Sequence, residues 1–134
     1  MAGSFSDYLE MQILKWAFTT DAVTRPTAWY VALFSTAEGD AAGGTELTGA
    51  GGYARQSIGS MACTGTTAPQ AANQAIVTFG PATGADWATA THFAIMDAPT
   101  GGNELAWGQL PVSKTVQVGD SAAYAIAALV ASLD

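Results

Sequence analysis

A predicted β-hairpin, residues 86–110, constrains the fold of this sequence more than any other segment. Its first arm, residues 91–97, alternates side chains between two faces, as a strand does. The connection, residues 98–103, contains Pro, paired Gly and Asn, the residue types that favour reversing turns. The second arm, residues 104–110, is again mostly apolar. The pattern therefore predicts two antiparallel strands joined by a short connection.

The alternation also predicts which side chains of the two arms meet. Phe93 and Ile95 share one face of the first arm, and Leu105 and Trp107 lie together on the second. We expect these two pairs to face each other across the ladder, where each cross-strand pair adds roughly 0.2–1 kcal/mol beyond burial. Such a hairpin explains a fold and does not by itself indicate a reaction.

The remaining segments predict further short strands around this hairpin. Residues 27–35 are apolar on both faces, which indicates a central strand covered on both sides. The other strand candidates are residues 53–58, 74–79, 113–118 and 122–133. Together these segments predict a mainly β fold, an antiparallel β-sandwich of about seven strands with one N-terminal α-helix, in a single domain over residues 1–134.

The predicted helix covers residues 6–18, with Ser6 as its N-cap. Leu9, Ile13 and Trp16 recur at helical spacing, so they form an apolar stripe that is wide for about three turns. Two hypotheses follow. The helix packs on its own sheet, or it docks on a neighbouring subunit.

Two long segments are predicted to lack regular structure. Residues 36–52 are rich in glycine, and residues 59–73 are small and polar, typical of a loop or an edge segment. Glu38, Asp40 and Glu46 lie in the first segment, but their spacing fits no calcium-binding loop. We interpret these three acids as solvated.

The charge pattern excludes two classes of partner. The chain of 134 residues has a net charge of -7, and its only cations are Lys15, Arg25, Arg55 and Lys114. Four scattered cations cannot neutralise several phosphates, so neither nucleic acid nor an anionic membrane surface is an expected partner. Charged residues make up 11% of the chain, against ~25% in typical domains. Such a surface suits packing against other subunits, although a small Ala-rich β domain has the same composition.

Residue types that carry chemistry are few. His92 alternates with core residues on its strand, which indicates a structural role, and Cys63 is the only cysteine, so no intrachain disulfide is possible. No cluster predicts a metal site or a cofactor, and we expect no enzymatic activity. Trp29, Trp87 and Trp107 are candidates for a sugar site, although tryptophans on a hairpin are more often core residues. The N-terminal residues do not resemble a signal peptide and no apolar run is long enough to span a membrane, so synthesis in a reducing cytosol is expected.

A set of segments resembles a known family. In chain order they are residues 7–10, 29–37, 51–56, 77–79, 85–87, 91–95, 101–103, 107–108 and 114–116. Their order is similar to that in a family of small structural proteins of tailed bacteriophages. Members are often labelled tail-fibre proteins, and some look like capsid decoration proteins. The resemblance implies a virion protein made in the host cytoplasm, and it carries over no catalytic residue.

The leading hypothesis from the sequence is a capsid cement protein, a homotrimer seated between subunits of the major capsid protein. The predicted contact residues are Tyr8, Leu9, Ile13 and Trp16, together with the two long segments 36–52 and 59–73. A tail or tail-fibre component that contacts the host is the first alternative, and a small carbohydrate-binding module is the second. The sequence leaves open the position in head or tail, the oligomeric state, the partner surface and whether the two segments bind host glycans.

Overall fold

The fold is taken from a computed structural model that describes residues 3–65, 67 and 69–132. Within these residues it contains ten strands, one α-helix and a single 3-10 turn. In chain order the elements are β1 (Gly3–Phe5), α1 (Asp7–Phe18), β2 (Tyr30–Phe34), the 3-10 turn (Ala50–Gly52), β3 (Gln56–Ser57), β4 (Met61–Thr64), β5 (Gln70–Asn73), β6 (Val77–Phe79), β7 (Ala90–Met96), β8 (Glu104–Lys114), β9 (Ala122–Tyr124) and β10 (Val130–Ser132).

The strands form one large sheet and one small sheet. The large sheet has eight strands in the order β3-β2-β7-β8-β1-β10-β5-β4, and the small sheet pairs β6 with β9. All paired strands are antiparallel except β1 and β10. The predicted mainly β fold, a sandwich of antiparallel sheets with one N-terminal helix, is therefore confirmed, with more and shorter strands than the seven expected.

The main hydrophobic core joins the two sheets. Its side chains include Leu33 from β2, Phe93 from β7 and Phe79 from β6, each at most 1% exposed. The Phe79 ring stacks on Tyr53 and meets the edge of Tyr124, with ring centroids 6.1 Å apart in both pairs. Burial of these large apolar side chains is the main force that holds the small sheet on the large one.

Strand β2 is buried on both faces, as its sequence predicted. Val31 and Leu33 belong to the main core, whereas Ala32 and Phe34 belong to a second apolar cluster on the opposite face. Strand β7 continues both layers. Ile95 lies opposite Val31 and belongs to the main core, and Ala94 lies opposite Ala32 and belongs to the second cluster. The central position of this strand therefore follows from its apolar character on both sides.

The predicted pairing across the hairpin was wrong in its register. Phe93 lies opposite Gly108, and Ile95 lies opposite Ala106, rather than opposite Leu105 and Trp107. A bulge between Ile95 and Met96 inserts Leu105 as an extra residue, and one extra residue reverses the alternation of faces along a strand. Trp107 consequently shares a face with the second cluster.

Two strand regions were not predicted. Strand β1 lies between β8 and β10 near the middle of the large sheet. Its three residues are too few to show the alternation of apolar and polar residues by which a strand is predicted. The segment 59–73, predicted as a loop or edge, contains β4 and β5 paired over four residues, while residues 66 and 68 of it lie outside the described part. Pairing of small polar residues is decided by the neighbouring strands rather than by local pattern.

The other predicted strands are shortened or divided. The segment 122–133 forms two strands in different sheets, separated by a turn in which Ala127 has φ of 60°, and Leu133 lies outside the described residues. Ile126 lies in this turn and is 61% exposed. Segments 53–58 and 74–79 shorten to β3 and β6, and only the start of 113–118 remains in strand, at the end of β8.

Candidate docking site

Helix α1 begins at a well-defined cap on the sheet. The Leu9 N–H donates to the Ser6 hydroxyl oxygen at 3.2 Å, and the Ser6 hydroxyl donates in turn to the carbonyls of Glu104 and Leu105. The Asp7 N–H donates to the Asp40 carbonyl at 2.9 Å. The start of the helix is therefore held by both β8 and the long loop after β2, which sets the direction in which the helix leaves the sheet.

Beyond this cap the helix is weakly covered. None of its residues is buried, and only Tyr8 and Leu9 pack against the main core. Four large apolar side chains of the helix are exposed: Met11 by 53%, Leu14 by 52%, Trp16 by 74% and Phe18 by 81%. Large apolar patches on a small protein mark a surface that another molecule covers. No helix of the described residues is long and apolar enough to cross a membrane.

A groove runs between the helix and the segment that follows it. It has a volume of about 200 Å³ and an almost wholly apolar surface. Its lining residues are Tyr8, Leu9, Gln12, Ile13, Trp16, Val23, Thr24, Arg25 and Pro26. The structure thus brings the four predicted contact residues together on one groove. We call the groove and the exposed apolar side chains of α1 the docking face. Trp16 lies on the groove side of the helix, whereas Met11, Leu14 and Phe18 lie on the opposite side, because successive residues turn by about 100°.

Three residues of the docking face were missed as contact residues. Met11, Leu14 and Phe18 follow each other at steps of three and four residues, which places them on one side of a helix. The same spacing rule that selected Leu9, Ile13 and Trp16 therefore contained the signal. Leu14 and Phe18 recur at helical spacing in the sequence, but spacing alone does not show which apolar side chains of a helix stay exposed.

The docking face carries unpaired positive charge. Lys15 lies in the last turn of α1 and Arg25 lines the groove, so two of the four cations of the chain are here. Neither side chain forms an ion pair with another described residue. Because Asp7 and Glu10 lie in the first turn of the same helix, this positive charge is confined to the last turn of α1 and to the groove at Arg25, and it favours acidic groups of a contacting surface only there.

Side-chain contacts hold the long loop after β2 against the sheet. The indole N–H of Trp107 donates to the Asp40 carboxylate at 2.9 Å, and the Glu38 side chain is buried, at 6% exposure. The interpretation of the loop acids as solvated is therefore wrong for Glu38. It is also wrong for Glu46, which is half-buried and binds Arg55. The loop packs over the second apolar cluster, which composition alone does not show.

Glu104, at the start of β8, lies beside two of these acids. It is 3% exposed, and neither of its carboxyl oxygens has a hydrogen-bond partner among the described residues. Burial first, and then the nearby carboxyl groups of Glu38 and Asp40, together raise the pKa of Glu104 to about 9. Glu104 is therefore protonated at neutral pH, and its neutral carboxyl group lies beside that of Glu38.

Arg55 forms the single ion pair of the described residues. Its guanidinium donates to both carboxylate oxygens of Glu46 at 2.8 Å, and to the carbonyls of Ala98 and Gly101 at 2.9 and 2.7 Å. These partners meet the requirement that a largely buried guanidinium has carboxylate or carbonyl acceptors. The hydrogen bonds to Glu46 raise the pKa of Arg55, so the pair stays charged.

The residues considered for chemistry lie apart from the docking face. His92 is half-buried on β7, where its Nδ1 lies 2.8 Å from the Thr91 hydroxyl, and Cys63 is exposed on β4. Among the described residues no group of three His, Cys, Asp or Glu side chains is placed to hold a metal ion. The absence of catalytic activity stays a prediction.

The tryptophans proposed for a sugar site are mostly used in packing. Trp87 is 4% exposed and its indole N–H donates to the Gly51 carbonyl at 2.8 Å, so its ring has no face open to a ligand. Trp29 packs against the main core, and Trp107 packs against the second cluster. The most exposed tryptophan is Trp16, on the docking face.

The structure as a whole defines a small β protein that presents one incompletely covered apolar helix to a partner. The family described as Podophage GP4 fiber I protein gp80 matches residues 4–132, and the chain belongs to this family. It is therefore a structural protein of the bacteriophage virion, which confirms the phage resemblance at that level. No curated protein matches the sequence.

Proposed function

We propose that this protein is a non-catalytic component of a phage tail fibre, attached to another virion protein through the docking face. The fibre description of the family supports the tail over the head. The observation that carries the attachment is the exposure of four large apolar side chains on one short helix.

The docking face can contribute part of the free energy that attachment requires. Complete burial of a large apolar side chain is worth roughly 1.5–3 kcal/mol. Met11 and Leu14 are about half exposed, and Trp16 and Phe18 mostly exposed, so covering all four contributes on the order of 5 kcal/mol before the entropic cost of association. Trp16 is expected to contribute most to the binding free energy, because tryptophan is enriched among the residues that dominate protein interfaces.

The partner surface is defined by the chemistry of the face. An apolar ridge or helix fits the groove between α1 and the segment 23–26, and acidic groups beside that ridge meet Lys15 and Arg25. Because a helix of 12 residues is marginal by itself, the partner also stabilises α1 when it binds.

Replacing Trp16 and Phe18 together by serine is expected to lower the number of copies per particle about tenfold or more, because one large apolar contact is lost on each side of α1. The measurement is quantitative mass spectrometry of purified particles. They are grown from a phage that lacks the gene, with the variant supplied in trans.

The matched control replaces Val112 and Ile126 by serine. These two side chains are 72% and 61% exposed but lie away from α1, so the control removes two exposed apolar side chains from another part of the surface. Incorporation of the control variant at the wild-type level is expected. Equal incorporation of both double variants would show that the docking face does not attach the protein.

The capsid cement hypothesis uses the same face and predicts a different location. A cement protein that bridges major capsid subunits as a homotrimer covers the shell, so its copy number approaches that of the major capsid protein. A fibre component is present in far fewer copies and is labelled only at the tail. Gold labelling of intact particles with an antibody, together with the mass-spectrometric copy number, separates the two. Labelling over the head would contradict the fibre proposal and support the capsid cement hypothesis.

A further inference from the structure

The large sheet ends in a strand whose outer edge is open. Strand β4 (Met61–Thr64) is the last in the strand order, and among the residues that the structure describes it pairs on one side only, with β5. In an antiparallel strand with a single neighbour, alternate residues direct their N–H and C=O groups away from that neighbour. These groups form a template on which a further extended strand can add.

Strand β4 lacks the features that usually protect an open edge. It contains no charged residue and no proline, and its four residues pair with β5 without a register shift. The opposite edge of the sheet differs. Strand β3 has only two residues, and the residue before it is Arg55, which is held in the ion pair with Glu46. Only the β4 edge is therefore suited to pairing with another strand.

The surroundings of β4 are free of charge over a long stretch. Residues 56–85 contain no Asp, Glu, Lys or Arg, although the chain as a whole has a net charge of -7. Two copies that approach through most other surfaces bring like charges together. Two copies that approach through this segment do not, so electrostatics favours self-association here.

A shallow apolar groove lies beside the edge. It has a volume of about 160 Å³ and is lined by Phe5, Cys63, Pro69, Gln70, Ala71 and Ala131. The small side chains of Cys63, Ala71 and Ala131 follow one another across β4, β5 and β10. These three side chains are small, so this row adds no bulk beside the β4 edge.

We propose that β4 pairs antiparallel with β4 of a second copy of this chain, so that two large sheets join into one continuous sheet across a two-fold axis. A second copy is the occupant because its own β4 has the same unpaired groups and the same absence of charge, and the pairing satisfies both edges at once. The docking face is not used in this contact and remains free for the other virion protein.

The test uses the purified full-length chain. Analytical ultracentrifugation at high micromolar concentration is expected to show a dimer. Thr64→Asp places a carboxylate in β4, opposite Met61 of the second copy when all four residues pair. Burial of this charge against the other strand is expected to raise the dissociation constant about tenfold or more. The matched control is Thr78→Asp, on β6. Both threonines are exposed, and both variants have the same net charge.

Cross-linking locates the contact. Antiparallel pairing about the axis brings the two copies of Cys63 within about 10 Å, so a short bis-maleimide is expected to join the wild-type chains into covalent dimers. Far-UV circular dichroism confirms that each variant is folded. A wild-type monomer, a wild-type trimer, or equal effects of the two aspartate variants would each overturn the proposal. Loss of the dimer in the Trp16 and Phe18 variant with retention in Thr64→Asp would assign self-association to the docking face instead.

Discussion

Replacing Arg55 by methionine is expected to lower the free energy of unfolding by about 3 kcal/mol, and the midpoint of thermal unfolding by roughly 10 °C. The loss exceeds that of an ordinary surface ion pair, because the Arg55 side chain is only 9% exposed and that of Glu46 is 27% exposed. Equilibrium denaturation in urea at pH 7 measures it.

The physical reason lies in the number of groups that depend on one guanidinium. Arg55 satisfies both carboxylate oxygens of Glu46 and two carbonyls of the turn between β7 and β8, at Ala98 and Gly101. Without it, the Glu46 carboxylate is left with the Tyr53 hydroxyl, which donates to it at 3.1 Å. A partly buried charge without its counterion costs more than the pair contributes over an apolar replacement.

Two controls separate the loss of the ion pair from the loss of a positive charge. Arg25→Met removes an exposed arginine that forms no ion pair within the described residues, and it is expected to change stability by less than about 0.5 kcal/mol. The double variant Arg55→Met with Glu46→Leu removes both charges, and it is expected to recover part of the loss. A double variant no more stable than Arg55→Met alone would contradict this account.

Replacing Glu104 by glutamine is expected to stabilise the protein at alkaline pH, by on the order of 1–3 kcal/mol at pH 8. The pKa of Glu104 is raised from its ordinary value of 4.5 to about 9 in the folded protein, first because of burial and then because of Glu38 and Asp40. Glutamine keeps the shape and an N–H donor toward Glu38, and it has no proton to lose.

The sign of the pH dependence follows from the direction of that shift. Between pH 4.5 and about 9 the unfolded chain releases the Glu104 proton while the folded protein keeps it. The folded state therefore binds more protons, and its stability falls as pH rises through this window. Below pH 4.5 both states are protonated, so the wild type and Glu104→Gln are expected to differ little.

The experiment compares the two proteins by urea denaturation at pH 5 and pH 8. The matched control is Glu10→Gln, on the exposed side of α1, and its effect on stability is expected to change little between the two pH values. A stability difference between wild type and Glu104→Gln that is the same at both pH values would show that Glu104 is not protonated in the folded state.

These buried acids also show what could be predicted from the sequence and what could not. Composition placed few charges on the surface and suggested that the loop acids were solvated, yet Glu38 is buried and Glu46 binds Arg55. Burial of a carboxyl group depends on which loop lies over it, and loop placement is a long-range property. The requirement of a partner for Arg55 was predictable, because it follows from the chemistry of arginine alone.

More of the docking face than of the buried acids could be predicted from the sequence. Helical spacing identified Tyr8, Leu9, Ile13 and Trp16, and the structure places these four on one groove. Spacing alone could not tell which side of the helix the sheet covers. The answer depends on Ser6, whose hydrogen bonds to Glu104 and Leu105 set the direction of the helix, and both of these residues are distant in the chain.

By itself the sequence determined the kind of structure: a mainly β chain with one capped N-terminal helix, a hairpin around residues 86–110 and a strand apolar on both faces. These features are encoded locally, in the period of apolar residues and in turn chemistry. Tertiary structure alone decided the register of the hairpin, the place of β1 between β8 and β10, and the division of the last segment between two sheets. A single bulge or a three-residue strand leaves no periodic signal, and its position is selected by the packing of segments far apart in sequence.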